Sequence, residues 1–326
     1  MRRREFLSLL GGVAVVWPLT ARAQHSSMPL VGFVNSSSAQ AQVLVAAAYR
    51  RGLEETGFIE GKNLLIESRW ADGQYNRLPE MIDDLIKRNV AVIMAGGPPA
   101  AHAAKKATST IPIVFTSGDD PVQLGLVSSI NRPGGNVTGV HIFFSEVESK
   151  KLGLLRELVP NADLMVALVN PTFPSFKSQT QELQTAANKL GQRLQIIHAS
   201  SERDLDAAFA SMKQLRVGAT LVAADPFFST RRDQIVSLAA RYAIPAVYEQ
   251  RALVAAGGLM SYGTNLAEAY RQAGIYTGRI LKGEKPSELP VVLSSKFEFV
   301  INLKVAKTLG LTVSANLLST ADEVIE

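Results

Sequence analysis

Short apolar runs alternate with amphipathic segments along the first half of the chain. Apolar or alternating runs predict strands, and apolar residues at helical spacing between them predict helices. The predicted strands are Pro29–Asn35, Asn63–Trp70, Val90–Ala95 and Ile111–Phe115, and the predicted helices are Ala39–Thr56, Asn76–Asn89 and Ala100–Thr108. Apolar strands separated by helices are typical of a parallel sheet that helices cover on both faces.

The same alternation begins again after residue 160. The predicted strands are Leu164–Asn170, Leu194–His198, Ala219–Ala224, Pro245–Tyr248 and a short one around Met260, and the predicted helices are Ser175–Leu190, Glu202–Gln214 and Phe228–Ala243. Both halves contain an Ile-Pro-x-Val-aromatic strand, at Ile111–Phe115 and at Ile244–Tyr248. Any two α/β units share some of this pattern, but the common ending favours two lobes of similar construction. The predicted fold class is α/β, with two Rossmann-like lobes of parallel sheet.

The last sixty residues extend beyond the apparent end of the second lobe. They predict a helix over Asn265–Leu281, strands over Leu289–Leu293 and Phe297–Ile301, and a helix over Leu303–Leu309. Part of this tail is expected to return to the first lobe, so that several connections form a hinge beside a cleft. The predicted N-terminal lobe is 29–141 plus about 265–295, and the predicted C-terminal lobe is 142–264 plus about 296–326.

Residues 1–23 have the pattern of an export signal. Arg3-Arg4-Glu5-Phe6-Leu7 precedes an apolar run to Trp17, and Ala21-Arg22-Ala23 supplies a cleavage site. The R-R-x-F-L order favours twin-arginine export, and a general secretory signal with a basic start is the alternative. The predicted location is therefore the periplasm, with no membrane span after cleavage, because the apolar run is too short for one.

Composition narrows the possible functions. The 326 residues suit two domains, and 47% hydrophobic residues exclude wholesale disorder. The absence of cysteine excludes disulfides, cysteine-bound metals and a thiol nucleophile. The leader holds four arginines and one glutamate, so the rest of the chain carries 30 basic and 28 acidic residues. With no basic run longer than a pair after the leader and no histidine spacing typical of a metal site, we expect no nucleic-acid partner, metal or cofactor.

Ligands of open parallel sheets bind beyond the carboxyl ends of the strands, so the residues there are the binding candidates. They are Ser36, Ser37, Gly96, Gly97, Ser117 and Asp119 in the first lobe, and Asn170, Thr172, Asp225, Phe227, Tyr248, Glu249 and Tyr262 in the second. The Ser and Gly positions suit an anion such as a carboxylate, the acidic ones suit an ammonium group, and the aromatic ones suit an apolar body. Together they predict an amino-acid-like ligand. In the alternative interpretation, Ser and Asp cap helices and the aromatic side chains belong to the core.

No catalytic motif is complete. Gly257–Gly263 lacks the G-x-S-x-G spacing because position 259 is Leu, and Gly57–Asn63 is one residue short of a P-loop. The chain is therefore not expected to be an enzyme.

Several longer stretches point to one family. They are the leader 1–7, Gly52–Asn63, Arg69–Tyr75 with Arg77–Pro79, Ile111–Phe115, Gly118–Val122 with Gly125–Val127, Asn131–Gly139, Leu155–Pro160 and Ala256–Gly263. They resemble the periplasmic substrate-binding proteins of ABC transporters, of the tryptophan/tyrosine-type subfamily. The resemblance implies the type I periplasmic-binding fold, a ligand in the cleft between the lobes, hinge closure and an inner-membrane permease as partner. Because lipid-anchored members carry an N-terminal cysteine, it also implies a free periplasmic protein, which we expect to be a monomer.

Two other functions remain open at this point. A receptor of the same fold could pass its closed form to a signalling partner instead of a permease. An exported α/β hydrolase would need a positioned nucleophile and base, and the sequence offers neither. A sugar-responsive repressor shares the fold, but the export signal and the lack of an N-terminal helix-turn-helix argue against it.

Overall fold

The computed structural model describes residues 28–142 and 144–326. The predicted export signal, residues 1–23, lies outside the described residues. Within the described ranges, every helix is too short or too polar to cross a membrane.

Strands and helices alternate through most of the described chain. The strands are β1 (Leu30–Asn35), β2 (Leu65–Trp70), β3 (Val92–Gly96), β4 (Ile113–Ser117), β5 (Val137–His141), β6 (Leu164–Val169), β7 (Arg193–His198), β8 (Ala219–Val222), β9 (Ala246–Tyr248), β10 (Met260–Thr264), β11 (Val292–Leu293), β12 (Phe297–Asn302) and β13 (Glu323–Ile325). The helices are α1 (Val43–Glu55), α2 (Leu78–Lys87), α3 (Pro98–Ala107), α4 (Phe144–Leu158), α5 (Phe176–Leu190), α6 (Glu202–Gln214), α7 (Pro226–Thr230), α8 (Arg232–Tyr242), α9 (Arg251–Ala255), α10 (Leu266–Leu281), α11 (Leu303–Thr308) and α12 (Ala315–Thr320). Short 3-10 helices cover Tyr75–Arg77 and Pro286–Glu288.

The first sheet has the strand order β11-β5-β4-β3-β1-β2, and its described pairings are parallel. We call the part of the molecule built on it the first lobe. On one face α1 packs against α10, at a close approach that only glycine allows. A Cβ on Gly52 would lie 2.0 Å from the carbonyl oxygen of Arg271, and one on Gly274 would lie 2.2 Å from that of Tyr49. The 16-residue helix α10 is thus tied to the first lobe, although β6 to β10, which precede it in the chain, belong to the other sheet.

The second sheet has the order β13-β12-β10-β9-β8-β6-β7, and we call the part built on it the second lobe. Among the described pairings β10 and β12 run antiparallel, and the others are parallel. Buried aliphatic side chains on both faces of β6 and β8 form the core of this lobe. The predicted α/β class with two parallel-sheet lobes is confirmed.

The described chain passes from one lobe to the other three times. The crossings lie between β5 and α4, between β10 and α10, and between β11 and β12. Two of these connections touch, because the Thr264 hydroxyl donates a 2.6 Å hydrogen bond to the carbonyl oxygen of Ile142. Several strands connecting two bodies permit rotation about a common line while limiting other motions.

One predicted helix differs from the structure. The pattern over Phe228–Ala243 predicts a single helix, whereas the structure has α7 and α8 with a break at Arg231. The start of the helix also differs. Because the side chain of Asp225 caps α7 and Pro226 occupies its first turn, this helix begins two residues earlier than predicted.

Candidate ligand-binding cleft

A small cavity of about 40 Å³ lies between the carboxyl ends of the two sheets, and we call it the inner cavity. Five of the candidates that the sequence predicts line it: Ser37, Gly96, Gly97, Asp225 and Glu249. They come from the ends of β1, β3, β8 and β9, which is where parallel sheets place their ligands.

Asp225 has two carboxylate oxygens with different surroundings. Its Oδ1 accepts hydrogen bonds from the backbone N–H of Phe227 at 2.6 Å, the hydroxyl of Tyr75 at 2.7 Å and the amide of Asn170 at 3.4 Å. Its Oδ2 is buried and has no partner among the residues that the structure describes. Burial raises the pKa of Asp225 to about 7, although the hydrogen bonds from Tyr75, Phe227 and Asn170 act in the opposite direction. A buried carboxylate with one free oxygen is suited to a cationic hydrogen-bond donor.

Two further oxygens at the inner cavity are buried without partners in the described part of the chain. They are the hydroxyl oxygen of Ser37 and the amide oxygen of Gln42, whose residues are 1% and 5% exposed. Ser37 follows β1, and Gln42 stands at the N-cap of α1. The first lobe thus adds two acceptors opposite the carboxylate of the second lobe.

The start of α3 offers little to an anion. Gly97 has the positive φ of 90° that favours glycine, and its N–H donates to the carbonyl oxygen of Thr116 at 3.0 Å. The N–H of Ala100 donates to the Ser36 hydroxyl oxygen at 3.1 Å, and the two prolines between carry no N–H. The N–H groups of Gly97 and Ala100 are therefore already used, Ser36 acts as a cap, and Gly96 permits the close approach of Asn35. That Ser36, Gly96 and Gly97 bind the ligand stays a prediction.

Glu249 brings a second acidic group to the inner cavity. Burial raises its pKa to about 7, Lys151 lowers it, and Glu148 and Asp225 raise it further. Behind it, Lys151 and Glu148 form a fully buried ion pair of 2.9 Å on α4. Glu148 also accepts the N–H of Ala224 at 2.9 Å, so this pair fixes the end of β8 from which Asp225 projects.

Contacts between the lobes surround the inner cavity. The hydroxyl of Tyr75 in the first lobe bonds to Asp225 in the second, and Arg231 lies 3.4 Å from Asp72. At another edge, the Ser175 hydroxyl donates to the carboxylate of Asp119. Burial raises the pKa of Asp119 to about 6, against the effect of this hydrogen bond. The cleft is therefore closed in this structure.

Several predicted candidates lie near the cleft but outside the inner cavity's lining. The Asn170 amide donates to Asp225 and accepts hydrogen bonds from the N–H and hydroxyl of Thr172. Both residues therefore help to position the Asp225 carboxylate. Ser117 bonds within its own loop to Asp119, whose carboxylate forms the lobe contact.

The three aromatic candidates pack against protein. Phe227 and Tyr248 belong to one core cluster of the second lobe, and the ring of Tyr262 stacks on Phe297 at 5.9 Å. Tyr248 is 1% exposed, and a Cβ on Gly258 would lie 2.5 Å from its ring. These three side chains are not among the residues that line the inner cavity, and their role as walls of the ligand site stays a prediction.

Other lining residues were not predicted. Gln42, Gln250, Leu266 and Tyr270 all line the inner cavity. Tyr270 lies on α10 and accepts a 2.8 Å hydrogen bond from Asn35, 235 residues away in sequence. We call the expectation that ligands bind beyond the carboxyl ends of strands the strand-end rule. It covers Gln250, which follows β9, but it gives no reason to choose residues on helices.

A larger groove of about 680 Å³ adjoins the inner cavity, and we call it the outer groove. Gln42, Gln250 and Leu266 line both spaces, so the two lie on either side of these shared residues. The groove includes exposed apolar side chains at the start of α1, where Val43 and Leu44 are 61% and 74% exposed.

Comparison with known proteins identifies the family. Residues 31–325 match the family model described as "ABC transporter substrate binding protein". The chain belongs to this family. The two-lobed architecture is correspondingly that of type I periplasmic binding proteins, which confirms the predicted fold. A tyrosine-binding protein of Clostridioides difficile is 26% identical over 261 residues, covering 80% of this chain and 75% of the relative.

Two solved structures of the family differ in how closely they match. The ABC domain from Streptococcus pneumonia in complex with L-Trp is 26% identical, with a TM-score of 0.84 over 92% of this chain and 100% of that one. A ligand-free, open substrate-binding protein with adhesive properties from Clostridium difficile is 25% identical, with a TM-score of 0.65 over 91% of this chain and 99% of that one. At nearly equal identity, the overall similarity of this structure to the Trp complex is higher than its similarity to the open, ligand-free structure.

Proposed function

We propose that this substrate-binding protein holds a small solute with a primary ammonium group in the inner cavity and delivers it, as a monomer, to an inner-membrane ABC permease. The observation that carries the proposal is the buried, unpartnered Oδ2 of Asp225 at a cavity between two lobes. The names of the tyrosine-binding relative and of the Trp complex make amino acids and related aromatic amines the first ligands to test. The chain acts as a binding protein and not as an enzyme.

Closure follows from where the acceptors lie. Ser37 and Gln42 belong to the first lobe and Asp225 to the second, so a bound ammonium contacts both. A ligand shifts a conformational equilibrium only through its different affinity for the two states. The complete set of contacts exists only when the lobes meet, and the ligand therefore favours the closed form that a permease recognises.

Asp225→Asn tests the proposal directly. Replacing the carboxylate keeps an oxygen for Phe227 and Tyr75 but removes the charge, and we expect affinity for the best amine found by screening to fall about 10- to 100-fold. Isothermal titration calorimetry on the protein without residues 1–23 measures this change. Asp322→Asn is the matched control, because Asp322 also accepts a backbone N–H in the second lobe, at 2.7 Å from Phe299, and does not line the cavity. Equal affinities of wild type and Asp225→Asn would contradict the proposal.

We propose export to the periplasm by the twin-arginine route. The supporting observation is the order Arg3-Arg4-Glu5-Phe6-Leu7 ahead of an apolar run. Replacing both Arg3 and Arg4 by Lys is expected to leave the precursor in the cytoplasm, whereas a general secretory signal keeps working with lysines. Fractionation of cells that express each form distinguishes the two routes.

A further inference from the structure

The unpartnered buried atoms at the inner cavity share one chemical property. Asp225 Oδ2, Gln42 Oε1 and Ser37 Oγ are all oxygens that can accept a hydrogen bond. A primary ammonium offers three N–H donors and no acceptor, so three acceptors match its full donor capacity. Buried polar groups in folded proteins are nearly always paired, which makes three unpartnered ones around a single small space informative.

The charges at the inner cavity give the same indication. Asp225 and Glu249 line it, and its described lining contains no Lys, Arg or His. A carboxylate placed there would meet two acidic groups, and Lys151, the cation that lowers the pKa of Glu249, is already paired with Glu148. The start of α3 would not compensate, because the N–H groups of Gly97 and Ala100 are already used.

The dimensions limit what can enter. A cavity must have a volume of about 10–15 Å³ to hold one water molecule. The inner cavity has about 40 Å³, which suits an ammonium group with one or two carbons. In an amino acid the same carbon bears the ammonium and the carboxylate. This end of the molecule is therefore branched and larger than the ammonium end of a simple amine. The 680 Å³ of the outer groove, which shares Gln42, Gln250 and Leu266 with the inner cavity, can hold the remainder of a ligand.

We propose that the ligand is a primary amine without a carboxylate on its amine-bearing carbon. Its ammonium lies among Asp225, Gln42 and Ser37, and its apolar substituent extends past Gln42, Gln250 and Leu266 into the outer groove. This inference rests on the proposed function, since it specifies the solute class of the same site.

Matched pairs of amines and amino acids test the inference. Calorimetry on the protein without residues 1–23 compares tryptamine with tryptophan, tyramine with tyrosine, and isoamylamine with leucine, which differ within each pair only by the carboxylate. In the pair that contains the tightest-binding compound, we expect the amine to bind at least tenfold more tightly than its amino acid. Any smaller ratio, or a preference for the amino acid, overturns the inference but leaves the proposed function standing. No binding by any member up to 1 mM overturns both.

A second experiment tests the position of the substituent. Ala255 is exposed and lines the outer groove, whereas Ala207 is exposed on α6 of the same lobe and lines neither space. Ala255→Trp is expected to weaken binding of the tightest amine at least fivefold, and Ala207→Trp is expected to leave it unchanged. Wild-type affinity in Ala255→Trp would overturn the placement of the substituent in the outer groove.

Discussion

Asp225 combines a structural and a binding role through its two oxygens. Oδ1 caps α7 and receives Tyr75 from the other lobe, while Oδ2 is free at the inner cavity. The ligand-free protein therefore holds a carboxylate whose charge is only partly compensated. Such a group lowers the stability of the unoccupied protein and favours a cation when one is present.

The buried charge of Asp225 should lower the stability of the ligand-free protein in a pH-dependent way. Burial raises the pKa of Asp225 to about 7, far above its unfolded value, so its contribution to stability is full at low pH and is lost as pH rises through 7. Asp225→Asn removes this loss, and we expect the variant to exceed wild type by roughly 1–3 kcal/mol at pH 8, with a smaller difference at pH 5. Tyr75, Asn170, Glu249, Glu148 and Lys151 stay unchanged in both proteins. Urea unfolding at the two pH values gives the comparison, and a variant less stable than wild type at pH 8 would contradict it.

The strand-end rule names five of the residues that line the inner cavity, and side-chain direction explains why a neighbouring candidate does not line it. Tyr248 and Glu249 are neighbours at the end of β9, and successive side chains of an extended strand point to opposite sides. Glu249 therefore reaches the inner cavity while Tyr248 enters the core. Tyr75 and Tyr270 could not be found in this way, since the tertiary fold alone brings them to the strand ends.

At the scale of elements, most strands were predictable from apolar or alternating runs, whereas β5 and β13 were not. β1, β3, β6 and β8 lie within two residues of their predicted starts. β5 went unpredicted because its Val-Thr-Gly-Val-His sequence is short and contains Gly139, where a Cβ would lie 2.2 Å from the carbonyl oxygen of Phe115. That glycine serves the packing of β5 on β4, which no local pattern reveals.

Helix α4 joins the second lobe through the buried Lys151–Glu148 pair. Lys151 is fully buried and also donates to the carbonyl oxygen of Val222 at 3.2 Å. Lys151→Met leaves the Glu148 carboxylate buried without its cation, and we expect a loss of about 3–5 kcal/mol in the free energy of unfolding. Chemical denaturation measures this loss.

The double variant Glu148→Gln/Lys151→Met is the matched comparison. With both charges gone, the cost of an unpaired buried charge disappears, so the double variant should recover at least half of the stability that the single variant loses. A double variant less stable than Lys151→Met would contradict this account of the pair.

For the whole molecule, the decisive feature is that the two lobes meet around the inner cavity. Asp225 with Tyr75, Arg231 with Asp72, and Asp119 with Ser175 join the two halves. The mostly parallel order of the two sheets and the late return of α10 could be expected from the sequence, whereas the antiparallel pairing of β10 with β12 could not. The identity of the residues that touch across the cleft could not, because these contacts join segments up to 159 residues apart.

Tyr75→Phe tests closure. The change removes the hydroxyl that bridges the lobes at Asp225, and a hydrogen bond to a charged group is worth about 1.5–3 kcal/mol. We expect a larger radius of gyration for the ligand-free variant by small-angle X-ray scattering, and amine affinity at least fivefold weaker. Tyr242→Phe, on α8 and away from the lobe contacts, should behave as wild type. Identical scattering from Tyr75→Phe and wild type would contradict the role of this contact.

A crystal structure of the protein with its tightest-binding amine tests the central claim most directly. The account predicts closed lobes, with the ligand nitrogen within about 3 Å of Asp225 Oδ2 and in contact with Ser37 or Gln42 of the other lobe. A ligand bound in the closed cleft with its nitrogen away from Asp225, or bound at a site outside the cleft, would contradict it.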